Sequence, residues 1–389
     1  MLYRKMGKSG DEVSILSFGC MRLPVIGEDP TKINEELAIP MLRNAIDAGV
    51  NYIDTAYPYH STSFEVPGES EPFVGRALQD GYREKVKIAT KLPPWLIESR
   101  DDMERILDHQ LERLQTDCID YYLLHALNKN FWAIMQQHGA LDFLDQALAE
   151  GKIKRAGFSY HEGPELFQPI VDAYDWDFCQ IQYNYLDEET QAGKAGLEYA
   201  AEQGLGVVVM EPLRGGNLAG NLPEEAEAVF AAAKVQRSHA EWALRWIWND
   251  PRVTTVLSGM TEAAQAEENL KVATAAKAGS LTDDELARVD QVKQIYRSKQ
   301  RVPCTKCGYC MPCPVGVKIP DNLSLYNEYY LFDSDSSRFL ASALYNMTLP
   351  PEAKADQCTE CGQCLEHCPQ QIAIPDELKR VTETFTPPE

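Results

Sequence analysis

The chain has 389 residues, with 37 Lys and Arg against 59 Asp and Glu and a formal net charge of −22. That charge repels phosphate backbones and anionic lipid, which argues against nucleic acid or a membrane surface as a partner, and no run approaches the roughly 20 apolar residues of a membrane helix. With 44% hydrophobic residues the length suffices for a full-sized core and an appended module, so two domains are expected, residues 1–280 and 281–389.

From about residue 13 to 275, short apolar runs alternate with longer amphipathic stretches. The runs cover residues 15–19, 51–54, 86–90, 119–124, 153–158, 178–182, 206–210 and 254–258. Alternation of this kind predicts βα units and a parallel sheet. Eight units are the count of a closed (β/α)₈ TIM barrel, with a doubly wound open sheet as the alternative α/β architecture. Helix punctuation supports the intervening segments, as where Gly49 follows Ala45-Ile46-Asp47-Ala48 in the manner of a C-cap. After Leu281-Thr282-Asp283-Asp284-Glu285, an N-cap with an acidic first turn, one more helix is predicted to run toward Ser298.

Chemistry in such a barrel lies at the C-terminal ends of the strands, so the polar residues closing the apolar runs are the candidates. Asp54 closes the second run, Tyr59 follows five residues later, Lys91 ends the third and His125 the fourth. Singly, each has an ordinary explanation: a turn cap, a solvated charge, a satisfied core histidine. Together, at successive strand ends, they point to one site.

Eight of the 11 cysteines fall in two C-terminal runs, Cys304, Cys307, Cys310, Cys313-Pro314 and Cys358, Cys361, Cys364, Cys368-Pro369. A thiolate every third residue lets a short loop wrap three corners of a cubane cluster, while the cysteine before proline ligates the neighbouring one. This predicts two 4Fe–4S clusters in a helical, dicluster ferredoxin-like domain. Cys304, Cys307, Cys310 and Cys368 would hold one, and Cys358, Cys361, Cys364 and Cys313 the other. Two residues rather than the usual three separate Cys310 from Cys313, so Cys313 is the less regular crossing ligand. Zinc would need only paired C-x2-C motifs. Disulfides need an oxidising compartment, and Met1-Leu2-Tyr3-Arg4-Lys5 opens no apolar leader, so a reducing cytoplasm is expected. Between the runs, Tyr326, Tyr329, Tyr330, Leu331, Phe332 and Phe339 predict helices packing on the clusters. Of the other cysteines, Cys118 is expected in the core, whereas Cys20 and Cys179 lie at strand ends where a thiol could face the site.

The chain resembles the aldo-keto reductase family in Asn51-Tyr52-Ile53-Asp54-Thr55-Ala56 with Tyr59, in Thr90-Lys91, in Leu123-Leu124-His125, and in Gly151-Lys152-Ile153-Lys154-Arg155-Ala156-Gly157-Phe158-Ser159. With the cysteine runs it is similar to the ferredoxin-fused branch of that family. The resemblance implies an oxidoreductase interconverting a carbonyl and an alcohol on a small substrate. Tyr59 would be the proton donor, Lys91 would lower its pKa from the reference near ~10, Asp54 would hold the lysine, and His125 would align the substrate oxygen. Tyr57 follows the same motif and is a rival acid, but the family spacing selects Tyr59. Ser159 and Gln180 would bind a nicotinamide carboxamide, Met210 takes the place of a stacking aromatic, and Glu268 and Asn269 would face an adenine. Tyr160 replaces the family's usual asparagine. Ser258-Gly259-Met260-Thr261 with Gln265 lacks the lysine and arginine that clamp a 2′-phosphate, so NAD(H) fits at least as well as NADP(H).

Hydride carries two electrons, whereas a 4Fe–4S cluster passes one at a time, and flavins are the usual adaptor. Three arrangements stay open: a flavin or other mediator in the barrel mouth, clusters that relay electrons directly or exchange them with an external carrier, or structural clusters. Two further readings use the same residues. One is an electron-transfer or redox-sensor protein with the barrel as docking platform, the other a non-reductive dehydration at Tyr59. Loops over residues 58–68, 93–95 and 128–139 would set the substrate.

Overall fold

The alternation forms eight parallel strands in the computed structural model, which describes residues 1–385 except 28, 64, 221, 303, 305–309, 332–334 and 369–370. They are β1 (Leu16–Gly19), β2 (Tyr52–Asp54), β3 (Lys87–Leu92), β4 (Ile119–Leu127), β5 (Ile153–Tyr160), β6 (Phe178–Gln182), β7 (Gly206–Met210) and β8 (Val253–Ser258). They pair in chain order, and β8 closes on β1 with Val256 opposite Leu16, so the barrel replaces the open-sheet alternative. Strands β3, β4 and β5 run past their apolar segments by two or three residues. The hydrophobic pattern stops where the side chains become polar, at Lys91, His125 and Ser159, while the backbone ladder continues.

Strand side chains alternate between two cores, as a period of two requires. Inside the barrel lie Met6, Val13, Tyr52, Ala89, Tyr121, Leu123, Phe178, Val208 and Leu257. Between barrel and helices lies the larger layer, which takes the alternate residues Ile53, Ile88, Tyr122, Leu124 and Cys179. The interior is aromatic below the site: Tyr121 packs against Tyr52 at 5.2 Å and edge-on against Phe178 at 5.1 Å. Gly157 is required there, because a Cβ would lie 2.5 Å from the Phe178 ring. A short antiparallel hairpin, Tyr3–Lys5 with Glu12–Ser14, brings Met6 and Val13 into this core. No sequence run signalled it, because each strand has three residues.

Three helices follow β1, β2 and β3. Helix α1 (Glu35–Asp47) ends before Gly49, which adopts φ +102° and donates its amide to the Ile46 carbonyl. Helix α2 is Ser70–Ala77. Helix α3 (Arg100–Leu114) opens on a Ser99–Asp102 capping box and buries Met103, Ile106, Leu107, Gln110 and Leu114. Gln110 is the polar residue on that buried face.

The chain divides into two compact units, Met1–Gly215 with Ala240–Thr282, and Gly216–His239 with Asp283–Glu389. The segment after β7 thus belongs with the C-terminal residues. Arg237 pairs with Glu285, and Arg288 donates to the Val229 carbonyl at 3.0 Å. The second unit has its own core of Val302, Val317, Leu323, Tyr345, Leu378 and Val381. Its last helix, Ile374–Phe385, buries Ile374, Leu378, Val381 and Phe385, spaced by four, three and four residues. Among the described residues, no helix is long and apolar enough to cross a membrane.

Candidate active site

Asp54 ends β2 opposite Ala89 of β3, which places it beside Lys91 two residues further on. The Lys91 ammonium is fully buried and donates to both Asp54 carboxylate oxygens, at 2.7 and 2.8 Å, and to the Thr55 carbonyl at 2.7 Å. It also donates to the Tyr59 hydroxyl at 3.3 Å. Burial alone would push the ammonium down, but Asp54 and Tyr59 outweigh it, and the lysine sits above its ordinary value. Lys91 is therefore a cation at neutral pH.

At Tyr59 the Lys91 charge and hydrogen bond pull the pKa down, the direction expected, but burial, aided by the Asp54 charge, outweighs them and leaves it above 10. The lysine charge is already engaged by a carboxylate and a carbonyl, so the phenol stays protonated through the neutral range. Tyr57 sits differently: its ring packs against His109 on α3 at 6.0 Å, and its charged neighbours are Arg113, Glu71 and Arg105. The spatial partner of Lys91 is Tyr59.

His125 is buried, with its ring 6.2 Å from Tyr59 and 5.2 Å from Trp95, which packs on Phe131 at 5.7 Å. Burial and the nearby Lys91 hold the imidazole well below 6.5, so it is neutral. Its Nδ1 has no hydrogen-bond partner among the described residues. Trp95 lies in a short 3-10 helix, Pro94–Leu96, and Phe131 in a helix, Lys129–Gln137, where the sequence reading expected loops, and their place in the wall was invisible without the fold. The Thr55 carbonyl, the third acceptor on Lys91, was equally hidden, since any residue type supplies one.

Across the barrel, Ser159 of β5 lies in register with Gln180 of β6. The Ser159 hydroxyl accepts the Ala126 amide at 2.7 Å, which leaves its own proton to donate. Gln180 Nε2 lies 3.4 Å from the Met210 sulfur, and its buried Oε1 has no partner among the described residues. Asn269 donates to the Ser258 hydroxyl at 3.1 Å, and Glu268 beside it is half-buried. Tyr160 points away, donating to the Gly163 carbonyl and packing on Phe167. Gln265 is committed locally, accepting from the Thr261 amide at 2.9 Å. A cation does approach this loop from elsewhere: the Arg22 stem runs beside Gly259, and its guanidinium donates to the Gly215 carbonyl at 3.1 Å. Cys20 and Cys179 do not face the mouth. Both lie in the layer between barrel and helices, and burial pushes their thiols up.

In the second unit, Cys313, Cys358, Cys361 and Cys364 line one cavity, together with Cys310. Burial, with the neighbouring thiols of Cys358, Cys361 and Cys313, raises the Cys364 thiol. Thiols are the donor type of a 4Fe–4S cluster, but among the described residues no group of three or more His, Cys, Asp or Glu side chains is arranged to hold a metal ion. Cys304 and Cys368 pack beside the same core, and Cys307 lies outside the described residues.

Residues 16–294 match the model of the aldo/keto reductase family. The chain belongs to the aldo-keto reductase family. Residues 303–373 of this aldo-keto reductase match a 4Fe-4S dicluster domain. It is 28% identical over 338 residues to L-glyceraldehyde 3-phosphate reductase of Escherichia coli K12, covering 75% of this chain and 92% of that protein. It is 26% identical over 280 residues to 6-dehydroglucose reductase of Novosphingobium aromaticivorans, covering 68% and 88%. Among solved structures, the holo form of an aldo-keto reductase from Bacillus halodurans superposes with a TM-score of 0.60 at 27% identity, over 75% of this chain and 96% of that one. An aldo-keto reductase from Klebsiella pneumoniae in complex with NADPH shares the fold, with a TM-score of 0.59 at 23% identity over 75% and 96%.

Proposed function

We propose that this aldo-keto reductase interconverts a carbonyl and an alcohol on a small substrate, with Tyr59 as the proton donor. The observation that carries the reading is the Lys91 ammonium, buried and touching the Asp54 carboxylate and the Tyr59 hydroxyl together. Asp54 fixes the ammonium. Lys91 stabilises the phenolate that forms when Tyr59 gives up its proton to the developing alkoxide. His125, neutral and beside Tyr59, donates to or aligns the substrate oxygen, while Trp95 and Phe131 exclude water from that side.

The residues opposite suit a nicotinamide dinucleotide, which supplies hydride when bound. The orphaned Gln180 Oε1 would accept from a carboxamide nitrogen, the free Ser159 proton would serve the carboxamide oxygen, and Met210 would pack on the ring. Asn269 and Glu268 would meet the adenine. NAD(H) is served at least as well as NADP(H), because Gly259 and Gln265 bring no cation of their own; the nearby Arg22 is the group that would favour NADP(H). Cys313, Cys358, Cys361 and Cys364 would hold one 4Fe–4S cluster, and Cys304, Cys307, Cys310 and Cys368 the second. Such clusters would supply single-electron transfer to or from an external carrier.

The test compares Tyr59→Phe with Tyr57→Phe on the anaerobically purified enzyme. Loss of a positioned acid costs on the order of 10²–10⁴ in rate, so Tyr59→Phe lowers kcat by that factor with fold and iron content retained, and Tyr57→Phe is mild. The reverse pattern would sink the assignment.

A further inference from the structure

The loop bearing Tyr59 is closed by main-chain pairing to the residues that open α2. The Gly68 amide donates to the Tyr57 carbonyl at 2.8 Å, Glu69 to His60 at 3.0 Å, and Ser70 to Tyr59 at 3.2 Å. The approach is so close that a Cβ on Gly68 would meet the Tyr59 carbonyl oxygen at 1.9 Å. The next residue is Glu71, a fully buried carboxylate that the chemistry above does not use.

Glu71 is engaged on both oxygens. Oε1 accepts from the Thr90 hydroxyl at 2.6 Å and from Gln110 Nε2 at 2.7 Å. Gln110 Nε2 also reaches the Lys91 carbonyl at 3.0 Å, and its own oxygen accepts from Tyr122 at 2.8 Å. Oε2 accepts from Arg113 Nε at 3.1 Å, and the same guanidinium donates to the Gly68 carbonyl. One carboxylate thus joins the backbone that carries Lys91, through Thr90 and Gln110, to the loop that carries Tyr59, through Arg113 and Gly68.

A buried charge is costly unless paired and hydrogen-bonded on all sides, and α2, whose buried face is otherwise Phe73, Val74, Gly75 and Ala77 after Ser70, needs none at its second residue to form. We infer that Glu71 is a positioning residue that sets the separation between the Lys91 ammonium and the Tyr59 hydroxyl. The inference rests on the proposed role of Tyr59 and extends it to a residue outside the substrate pocket. The two arms are chemically separable. In Glu71→Gln the remaining oxygen still accepts from Thr90 and Gln110, but the new amide faces Arg113 donor to donor, so the arm to Gly68 and Tyr59 is cut while the arm to Lys91 survives.

The experiment measures kcat and KM together with the 19F resonance of 3-fluorotyrosine at position 59, in wild type, Glu71→Gln and Arg113→Lys. The second variant keeps the charge but cannot span both Glu71 and Gly68, and it stands in if Glu71→Gln fails to fold. A displacement of about 1 Å can cost on the order of 10²-fold in rate. Both variants should lower kcat by that order with KM for the dinucleotide unchanged, and should shift or broaden the Tyr59 resonance. In a Tyr59→Phe background, Glu71→Gln should add little further loss, since the hydroxyl it positions is gone. A folded variant with wild-type kcat and an unmoved resonance overturns the inference, as does a loss that multiplies fully in the Tyr59→Phe background. If wild type reduces no carbonyl but the resonance still responds to both variants, the positioning role stands and the proposed reaction fails.

Discussion

Replacing Lys91 with methionine tests the buried pair directly. The substitution keeps the stem volume but leaves the Asp54 carboxylate, 3% exposed, without its counter-charge. Breaking a buried pair from one side costs about 3–5 kcal/mol. With a urea m value of ~3 kcal/mol/M, the unfolding midpoint should fall by ~1–1.7 M. Tryptophan fluorescence is the right probe, because all 6 tryptophans, at positions 95, 132, 176, 242, 246 and 248, lie in the barrel unit. The pH dependence carries the sign. Alone in that site, Asp54 has a folded-state pKa raised above its unfolded value near ~3.9, so the folded variant binds the proton more tightly than the unfolded chain. Its deficit relative to wild type is therefore smallest in acid and grows as pH rises through the raised value. Adding Asp54→Asn to Lys91→Met should recover most of the loss. Equal midpoints at pH 8, or a deficit that grows toward low pH, would refute the buried, charged pair.

Protein purified without oxygen should carry roughly 8 iron and 8 sulfide per chain; stoichiometric zinc without sulfide would overturn the cluster reading. Cys313→Ser should damage the cluster of Cys358, Cys361 and Cys364, and Cys368→Ser the other, as followed by electron paramagnetic resonance. Because Tyr59 is raised above 10 and His125 is neutral, the reductive rate should be flat through neutral pH and fall only in alkali, when the phenol loses its proton; a decline near pH 6.5 in a stopped-flow series would assign the acid to a histidine. Gln180→Met removes an orphaned acceptor, so stability should be nearly unchanged, while nicotinamide binding by calorimetry weakens by roughly 3–10-fold, the worth of one hydrogen bond.

The barrel was legible because strands buried on both faces leave apolar runs, and β6 and β7 coincide with theirs. Where site residues interrupt the run, as at Lys91 and His125, the pattern ended before the strand did. The hairpin holding Met6 was too short to show a period, and the grouping of Gly216–His239 with the C-terminal unit depends on Arg237 meeting Glu285, 48 residues away. Asp54, Lys91 and Tyr59 could be named because strand ends converge in any such barrel. That Lys91 would fail to bring Tyr59 below 10 could not, since it depends on burial and on the lysine's other partners. Glu71 gave no signal: an acidic residue in the first turn of a helix reads as an ordinary dipole partner.

The aromatic packing beneath the catalytic residues has a consequence for how this scaffold can diversify. With Tyr52, Tyr121 and Phe178 interlocked and Gly157 pressed against the last of them, the depth of the cup is fixed by the barrel itself, and any new side chain there meets an occupied lattice. Trp95 and Phe131 stand on short helical segments outside the strand ladder, Pro94–Leu96 and Lys129–Gln137. New substrates should therefore be acquired by rebuilding the rim over an unchanging base, so that a library confined to those two segments would alter what is accepted without touching the proton donor.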